Sequence, residues 1–370
     1  MRTVTQIVPL VPPAIDGMGD YAMNLARRLR EAHDWDSRFV VCDPAWNGGD
    51  EVDGFRVTRI PHSDAAALSH EVQNARTAIL HYVGYGYHPR GIPFWLARGI
   101  LNGKTNQTRL VTVFHEIWAK GAPWRSVFYL SLAQKRLVRR FLEGSSVAFT
   151  SVWWALRKLQ KLVPGRPNWL PVPSNLSVTS SVGSRQRGEA PWRPLIFGQT
   201  WTRTPTVRLH GPMLRELHRR GLLDVALVAG KGSRGFPDPS EDVALLARYI
   251  PNEKIRTVGL VPPSSSEIFT LSDFYLSSHS ARDACKSGAL MAAFAAGCPV
   301  ILADGRAADP LEAGKHFLVC RDRADEIDAL VAQAQAGAFM RISQSCRDWC
   351  REYADWPVIA REISKGLQPT

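Results

Sequence analysis

The 370-residue sequence predicts an α/β protein of two domains, each a doubly wound parallel sheet, with a C-terminal helix that crosses back to the first domain. Three observations predict it. The chain is too long for one small core and suits two domains of ordinary size. Short β-branched runs alternate with segments of helical period, and the alternation restarts beyond a polar, turn-rich stretch. A charge-poor helix over Ser287–Gly297 leads through Pro299 into a short β-branched strand, the pattern of a helix buried between layers. The boundaries that follow are a first domain over 1–175, a linker over 176–193, a second domain over 194–350 and the terminal helix over 351–370.

Composition narrows the class. Apolar residues make up 45% and charged residues 22%, the balance of a soluble globular protein. The early apolar run Ile7–Val11 is broken by Pro9. The longest run, Ala289–Ala303, carries Gly297 and Pro299 and falls short of the ~20 residues that span a bilayer, so no transmembrane helix is expected. Six cysteines are scattered without a CxxC or a paired zinc spacing, which fits reduced thiols in a cytoplasm. The net charge of +12 attracts phosphates. Nucleic acid is not expected as the partner, because no reader motif is present. An anionic membrane surface and phosphorylated ligands remain, which places the protein in the cytoplasm, peripheral at the inner membrane face.

Thr3–Val11 reads as a buried strand. The loop Pro12–Asp20 contains Gly17 and Gly19, and Tyr21–Leu29 has helical period, so this is the opening βα unit of a doubly wound sheet. The two glycines allow close approach of a phosphate or sugar and equally suit a tight turn. Phe39–Cys42 and Phe55–Ile60 are strands around a Gly48–Gly49 turn; Asp34–Trp35–Asp36 just before them reads as a surface turn. Ala78–Val83 is a strand ending in the aromatic, Gly-containing stretch Gly84–Pro89, suited to stacking on a sugar or base at the carboxyl edge of a sheet. Arg109–Phe114 is strongly β and runs into His115–Glu116. A histidine closing a buried strand is a candidate catalytic or hydroxyl-binding group, a structural histidine being the other reading. Helices over Trp124–Leu142 and Trp153–Val163 carry Lys and Arg beside Trp and Leu, as an interfacial or a solvated face does.

Beyond the polar stretch the α/β pattern resumes. Leu195–Gly198 is a strand, Val207–Arg220 a helix, and Val225–Ala229 a strand ending in Gly230–Lys231–Gly232. Thr257–Val261, Phe274–Ser277 and Phe317–Cys320 are further strands. Ala324–Ala336 is a helix, and Ile342–Leu367 is helical with a break near Trp356–Pro357. In the alanine-rich stretch Ser287 is the N-cap, Gly297 takes C′ and Pro299 stops the helix. Arg282, Asp283 and Lys286 precede it. The helix start with Lys286 is either an anion site or an ordinary core helix with a basic lead-in.

Taken together, two Rossmann-like halves, a linker and a terminal helix resemble the GT-B glycosyltransferases, and the motifs point to the retaining branch called glycosyltransferase group 1. Ala293–Ile301 matches that family's Glu-Ala-Met-Ala-x-Gly-x-Pro-Val-Ile from its second position onward. Gly17–Tyr21 looks like the family's glycine loop, Phe114–His115–Glu116 like its sugar-contacting histidine, and Phe197–Gly198–Gln199 with Arg203 like its pyrophosphate-holding stretch. Val228–Gly232 resembles its next glycine-containing strand end. The sequence departs from the family at its paired glutamates, which fall on Ala284 and Ala292, and at Gln199, where an arginine is usual. Asp283 stands in for the first glutamate with a shift of one residue. Loss of a ribose-clamping carboxylate costs about 1.5–3 kcal/mol, within reach of one well-placed lysine.

The resemblance implies transfer of a sugar from a UDP- or GDP-sugar to a hydroxyl on a glycan or lipid-linked acceptor, with retention, without a divalent metal and with no cofactor beyond the donor itself. It implies that His115, Lys286, Arg203 and Asp283 carry the chemistry. It implies that Gly17, Gly19, Gly198, Lys231, Ser287 and Gly288 hold the donor. The missing glutamates support the other expectation, a catalytically silent GT-B-fold binding or scaffold protein.

Overall fold

The computed structural model describes residues 1–119, 121, 124, 126–177, 188–230, 241–262, 266–302, 304–305 and 310–368. The chain forms two compact units, Met1–Pro171 with Trp356–Thr370, and Val172–Asp355. Of the linker expected over 176–193, residues 178–187 lie outside the described residues.

Among the described residues eight strands build the first unit: β1 (Arg2–Val8), β2 (Trp35–Val41), β3 (Glu51–Val52), β4 (Phe55–Arg59), β5 (Thr77–Tyr82), β6 (Arg109–Phe114), β7 (Val147–Thr150) and β8 (Pro167–Trp169). They lie in the order β3-β4-β2-β1-β5-β6-β7-β8, parallel except for the β3–β4 hairpin. Val4, Ile7, Val8, Ile79, Leu80 and Val111 are closed to solvent, as in a sheet covered on both faces, which is why these strands read as largely apolar runs, with Thr5, Gln6, His81 and Thr112 as buried polar exceptions. The chain winds outward from β1 through β2 in one direction and from β5 onward in the other. The order therefore reverses between β1 and β5, and such a reversal opens a crevice at the carboxyl ends of the strands.

The first helix spans Gly17–His33, four residues earlier than its apolar period suggests. Asp16 is the reason: its Oδ2 accepts from the Gly19 backbone N–H at 2.8 Å, an N-cap that starts the helix before the first apolar residue. Gly17 and Gly19, expected in a loop, are its first turn. A Cβ at Gly19 would lie 2.7 Å from the Leu10 carbonyl oxygen, so this glycine serves the approach of the chain to itself. Gly84–Tyr87, also expected as a loop, is a single helical turn.

The second unit carries β9 (Pro194–Phe197), β10 (Ala226–Ala229), β11 (Ile255–Gly259), β12 (Phe274–Ser277), β13 (Val300–Leu302) and β14 (Leu318–Val319). Their order is β11-β10-β9-β12-β13-β14, all parallel, with the reversal between β9 and β12. The alanine-rich helix spans Gly288–Ala295, with Leu290 to Phe294 buried. Gly297 sits at φ +63°, its N–H bonds to the Phe294 carbonyl and that of Cys298 to the Ala293 carbonyl, the paired closure that a left-handed C′ residue permits.

After a π-helical turn at Cys350–Ala354, the last helix, Trp356–Leu367, belongs to the first unit. Ile359, Ala360, Ile363 and Leu367 are buried, the large ones worth roughly 1.5–3 kcal/mol each. Arg109 Nε at the start of β6 donates to the Gly366 carbonyl at 2.5 Å. All six cysteines are buried and none is in a disulfide. Among the described residues no helix is long and apolar enough to cross a membrane.

Candidate functional site

At the carboxyl edge of the first sheet, His115 follows β6 directly, and its backbone N–H donates to the Tyr82 carbonyl. Its side chain is half-buried and ends a hydrogen-bonded series that begins on two other strands. Gln6 Nε2 donates to Ser37 Oγ at 2.8 Å, which turns Gln6 Oε1 toward His81 Nε2, also at 2.8 Å. His81 Nε2 must then carry the proton, and His81 Nδ1 accepts from His115 Nε2 at 3.3 Å. The series fixes one tautomer for each ring and leaves His115 Nδ1 with its lone pair free of the proton. Burial keeps both rings neutral: it lowers His115 from 6.5 to about 4 and, with His115 adding to it, holds His81 well below its ordinary value.

Tyr21, buried on the first helix, sets its edge against both imidazoles, with centroids 5.7 Å and 5.1 Å away. Its other neighbour is Trp356 of the last helix at 5.3 Å. Tyr87 ties the strands of the crevice together, its hydroxyl lying 3.1 Å from the Ile7 carbonyl and 2.8 Å from that of His81. Tyr85 on the same turn stays exposed. Below them Asp16 and Asp20 share the helix start. Burial and the Asp16 charge push Asp20 up to about 6, against the pull of Arg27. Burial also raises Asp16, against the hydrogen bonds of Gly19 and Met18.

The second unit has its own polar edge at the β9/β12 reversal. Ser277 Oγ lies 3.0 Å from His279 Nδ1, Ser280 Oγ donates to Asp283 Oδ2 at 3.0 Å, and Lys286 Nζ stands 3.6 Å from Asp283 Oδ1. Burial first, then the Lys286 charge, lowers His279, while Asp283 raises it. Ser287 Oγ accepts from the Leu290 N–H at 3.3 Å and caps the alanine-rich helix. The first N–H groups of a helix have no acceptor within it, and a Cβ built on Gly288 meets nothing within 4 Å, so this end faces open space. An exposed lysine beside an uncovered helix start is chemically an anion cradle.

Several expected residues take other roles. Arg203 does not offer its cation to a ligand: it is 2% exposed, its Nε donates to the fully buried Asp242 at 2.6 Å and its Nη1 to the Gly198 carbonyl at 2.7 Å. The cause is the helix Thr200–Arg219, which starts well before the expected Val207 and turns Arg203 inward on one face with Val207, His210, Leu214 and Leu217. Gly198, at φ +130°, lies against Gly230, where a Cβ would come within 2.1 Å of the Gly198 carbonyl oxygen; the two serve strand-end packing. Lys231 lies outside the described residues. Asp34–Trp35–Asp36 is not a free turn: Asp34 caps the first helix in the left-handed region, Trp35 and Asp36 open β2, and Asp36 pairs with Arg30. Ala284 and Ala292 are buried. Among the described residues no three His, Cys, Asp or Glu side chains converge as a metal-ligand set.

Two histidines were missed. His81 lies within β5 and reads as one polar residue in an apolar strand; its signal is that it faces the same edge as His115 once β5 and β6 are neighbours. His279 follows β12 as His115 follows β6, and its position after Phe274–Ser277 could have marked it.

No family model and no curated protein matches the sequence. Solved structures match over nearly the whole chain. Anabaena HepE, solved with UDP and glucose, is 12% identical with a TM-score of 0.67, covering 99% of each chain. A glycosyltransferase of Rickettsia africae is 14% identical at 0.65, covering 99% of this chain and 98% of its own. WaaG, a glycosyltransferase involved in lipopolysaccharide biosynthesis, is 13% identical at 0.63, covering 99% and 100%. These likenesses show the fold: GT-B, two Rossmann-like domains with the last helix returned to the first.

Proposed function

We propose that the protein is a glycosyltransferase that moves a sugar from a UDP- or GDP-sugar to a hydroxyl acceptor, with retention and without a divalent metal. One observation carries this reading. In a chain whose fold is that of UDP-bound structures, the start of the alanine-rich helix opens onto free space beside Lys286, Ser287 and Gly288. Diphosphate leaving from a nucleotide sugar gains charge as the glycosidic bond breaks. Oriented N–H groups and a lysine stabilise that charge without rearranging. Asp283, 3.6 Å from Lys286, orients the lysine and stands nearest the place of the first family glutamate. The first unit contributes His115, whose fixed tautomer makes it a hydroxyl-orienting group. Arg203 supports the Gly198 end of β9 and takes no part in the chemistry.

A specific observation favours a lipid-linked acceptor. Trp124, just before the helix Ser126–Gly144, is 84% exposed; on the helix Tyr129 is 66% exposed and Leu132 is also exposed, and Lys135, Arg136 and Arg139 lie along it. Exposed aromatics beside cations suit an anionic membrane surface. Flotation with phosphatidylglycerol vesicles, reversed by salt and weakened in Tyr129→Ser, checks this.

Calorimetry with UDP and GDP, followed by assays with their sugars, tests the main reading. Gly288→Asp adds a carboxylate where there is room for it and where a helix tolerates acid, so melting stays near wild type while nucleotide affinity falls about ten-fold or more. Absence of nucleotide binding across the panel replaces the enzyme with a silent GT-B-fold scaffold.

A further inference from the structure

The opposite edge of the first sheet holds a cavity of about 740 Å³, bounded by the amino ends of β1, β2, β5 and β6. It is remote in topology from His115, which follows the carboxyl end of β6. Four arginines line it, Arg2, Arg38, Arg76 and Arg109, and among the described residues none that lines it is acidic. Two of them are held in place with charge to spare. Arg2 lies over the Trp35 ring at 4.3 Å with Nη2 on the His33 carbonyl. Arg109 is anchored through Nε to Gly366, and its terminal amino groups make no hydrogen bond among the described residues. Arg38 is bonded to Thr5 and paired with Glu71, the one carboxylate that meets this group of arginines among the described residues. Arg76 is exposed; its carbonyl accepts from the Arg109 backbone N–H at 2.8 Å, and its guanidinium makes no hydrogen bond or ion pair among the described residues.

We propose that this cavity is a second anion site, which takes a phosphate-bearing small molecule. Packing guanidinium groups without counter-charges is unfavourable unless a ligand supplies the charge, and planar N–H forks match phosphate oxygens in pairs. The volume is in the range of small-molecule sites and exceeds what a lone phosphate needs. Asn106 and Gln107, exposed at its rim, offer neutral hydrogen bonds for the rest of such a molecule. The site does not depend on the glycosyltransferase reading, because its residues are at the other end of the strands and share no group with Lys286 or His115.

The test is calorimetry with inorganic pyrophosphate on the full chain, in the presence and absence of saturating UDP. A pyrophosphate site that persists under UDP and weakens about ten-fold or more in Arg76→Glu, with recovery in Arg76→Lys, is the expected result. Arg76 is exposed, so the variant should melt with wild type. Vesicles of phosphatidylglycerol, compared with phosphatidylcholine alone, separate the sources. Arg76-dependent retention on the former without free pyrophosphate binding also supports the site and identifies a lipid headgroup as its ligand. Equal behaviour of wild type and Arg76→Glu in both arms overturns the proposal. Failure of UDP to bind removes the donor reading and leaves the Arg76 comparison intact.

Discussion

His115 Nε2 lies 3.3 Å from His81 Nδ1, and the two rings stack with 5.6 Å between centroids and 21° between planes. Because His81 is tied in turn to Gln6, the proton on His115 is assigned from two strands away. His115→Ala is expected to lower the turnover of sugar transfer by about 10²-fold or more, the scale of a positioned acid-base group, with UDP affinity unchanged by calorimetry. His81→Phe keeps the ring volume and removes the acceptor; its turnover falls between wild type and His115→Ala, again at constant UDP affinity.

Arg203 and Asp242 test the reassignment of a sequence-predicted ligand residue. Removing one member of a buried pair strands the other charge, so Arg203→Ala should cost about 3–5 kcal/mol in urea unfolding. Replacing both, as Arg203→Met with Asp242→Leu, should cost less than the single change. A variant that kept full stability and lost only nucleotide binding would restore Arg203 to the donor site.

Gly17 and Gly19 separate a permissive glycine from a required one. Gly17→Ala meets open space at the first helical position and should stabilise by about 0.5–1 kcal/mol. Gly19→Ala drives a methyl into the Leu10 carbonyl and should destabilise by about 1–3 kcal/mol. Paired urea titrations read both signs.

Acid sensitivity follows from the neutral histidines. His210, 1% exposed and 3.1 Å from the Ser277 carbonyl, is lowered by burial from 6.5 to about 4. As pH falls through 6.5 the unfolded chain takes up a proton that the folded chain refuses until about 4. The stability is therefore complete above 6.5 and is lost toward 4, by roughly 3 kcal/mol at most for this group. His210→Gln keeps a donor near Ser277 and does not titrate, so its loss of urea midpoint from pH 7 to pH 4.5 should be smaller than in wild type.

How much was legible follows from these residues. Strands β6 and β12 agree residue for residue with the sequence reading, because buried parallel strands leave a short, mainly apolar and β-prone run. The alanine-rich helix, its Ser287 cap and its Gly297 closure were equally plain, since cap and C′ chemistry are local. Helix starts at Gly17 and Thr200 were read late: glycine and Pro205 look like breaks, and the Asp16 cap and the packing of Arg203 with Val207 override them. The His81–His115 contact spans 34 residues and exists only once β5 and β6 are neighbours, which periodicity does not specify. Arg203 carries its own local signal, a place on the apolar stripe of its helix with Val207, His210 and Leu214.

Because Trp356 rests on Tyr21, and Tyr21 on both histidines, the first unit draws on segments more than three hundred residues apart. On the ribosome, then, the early sheet must wait with that flank of its helix uncovered until the whole second unit has been translated. Arrival of the helix that opens with Trp356, rather than completion of the sheet, becomes the event that finishes the histidine pocket, and partially synthesised chains should bind chaperones through that waiting surface.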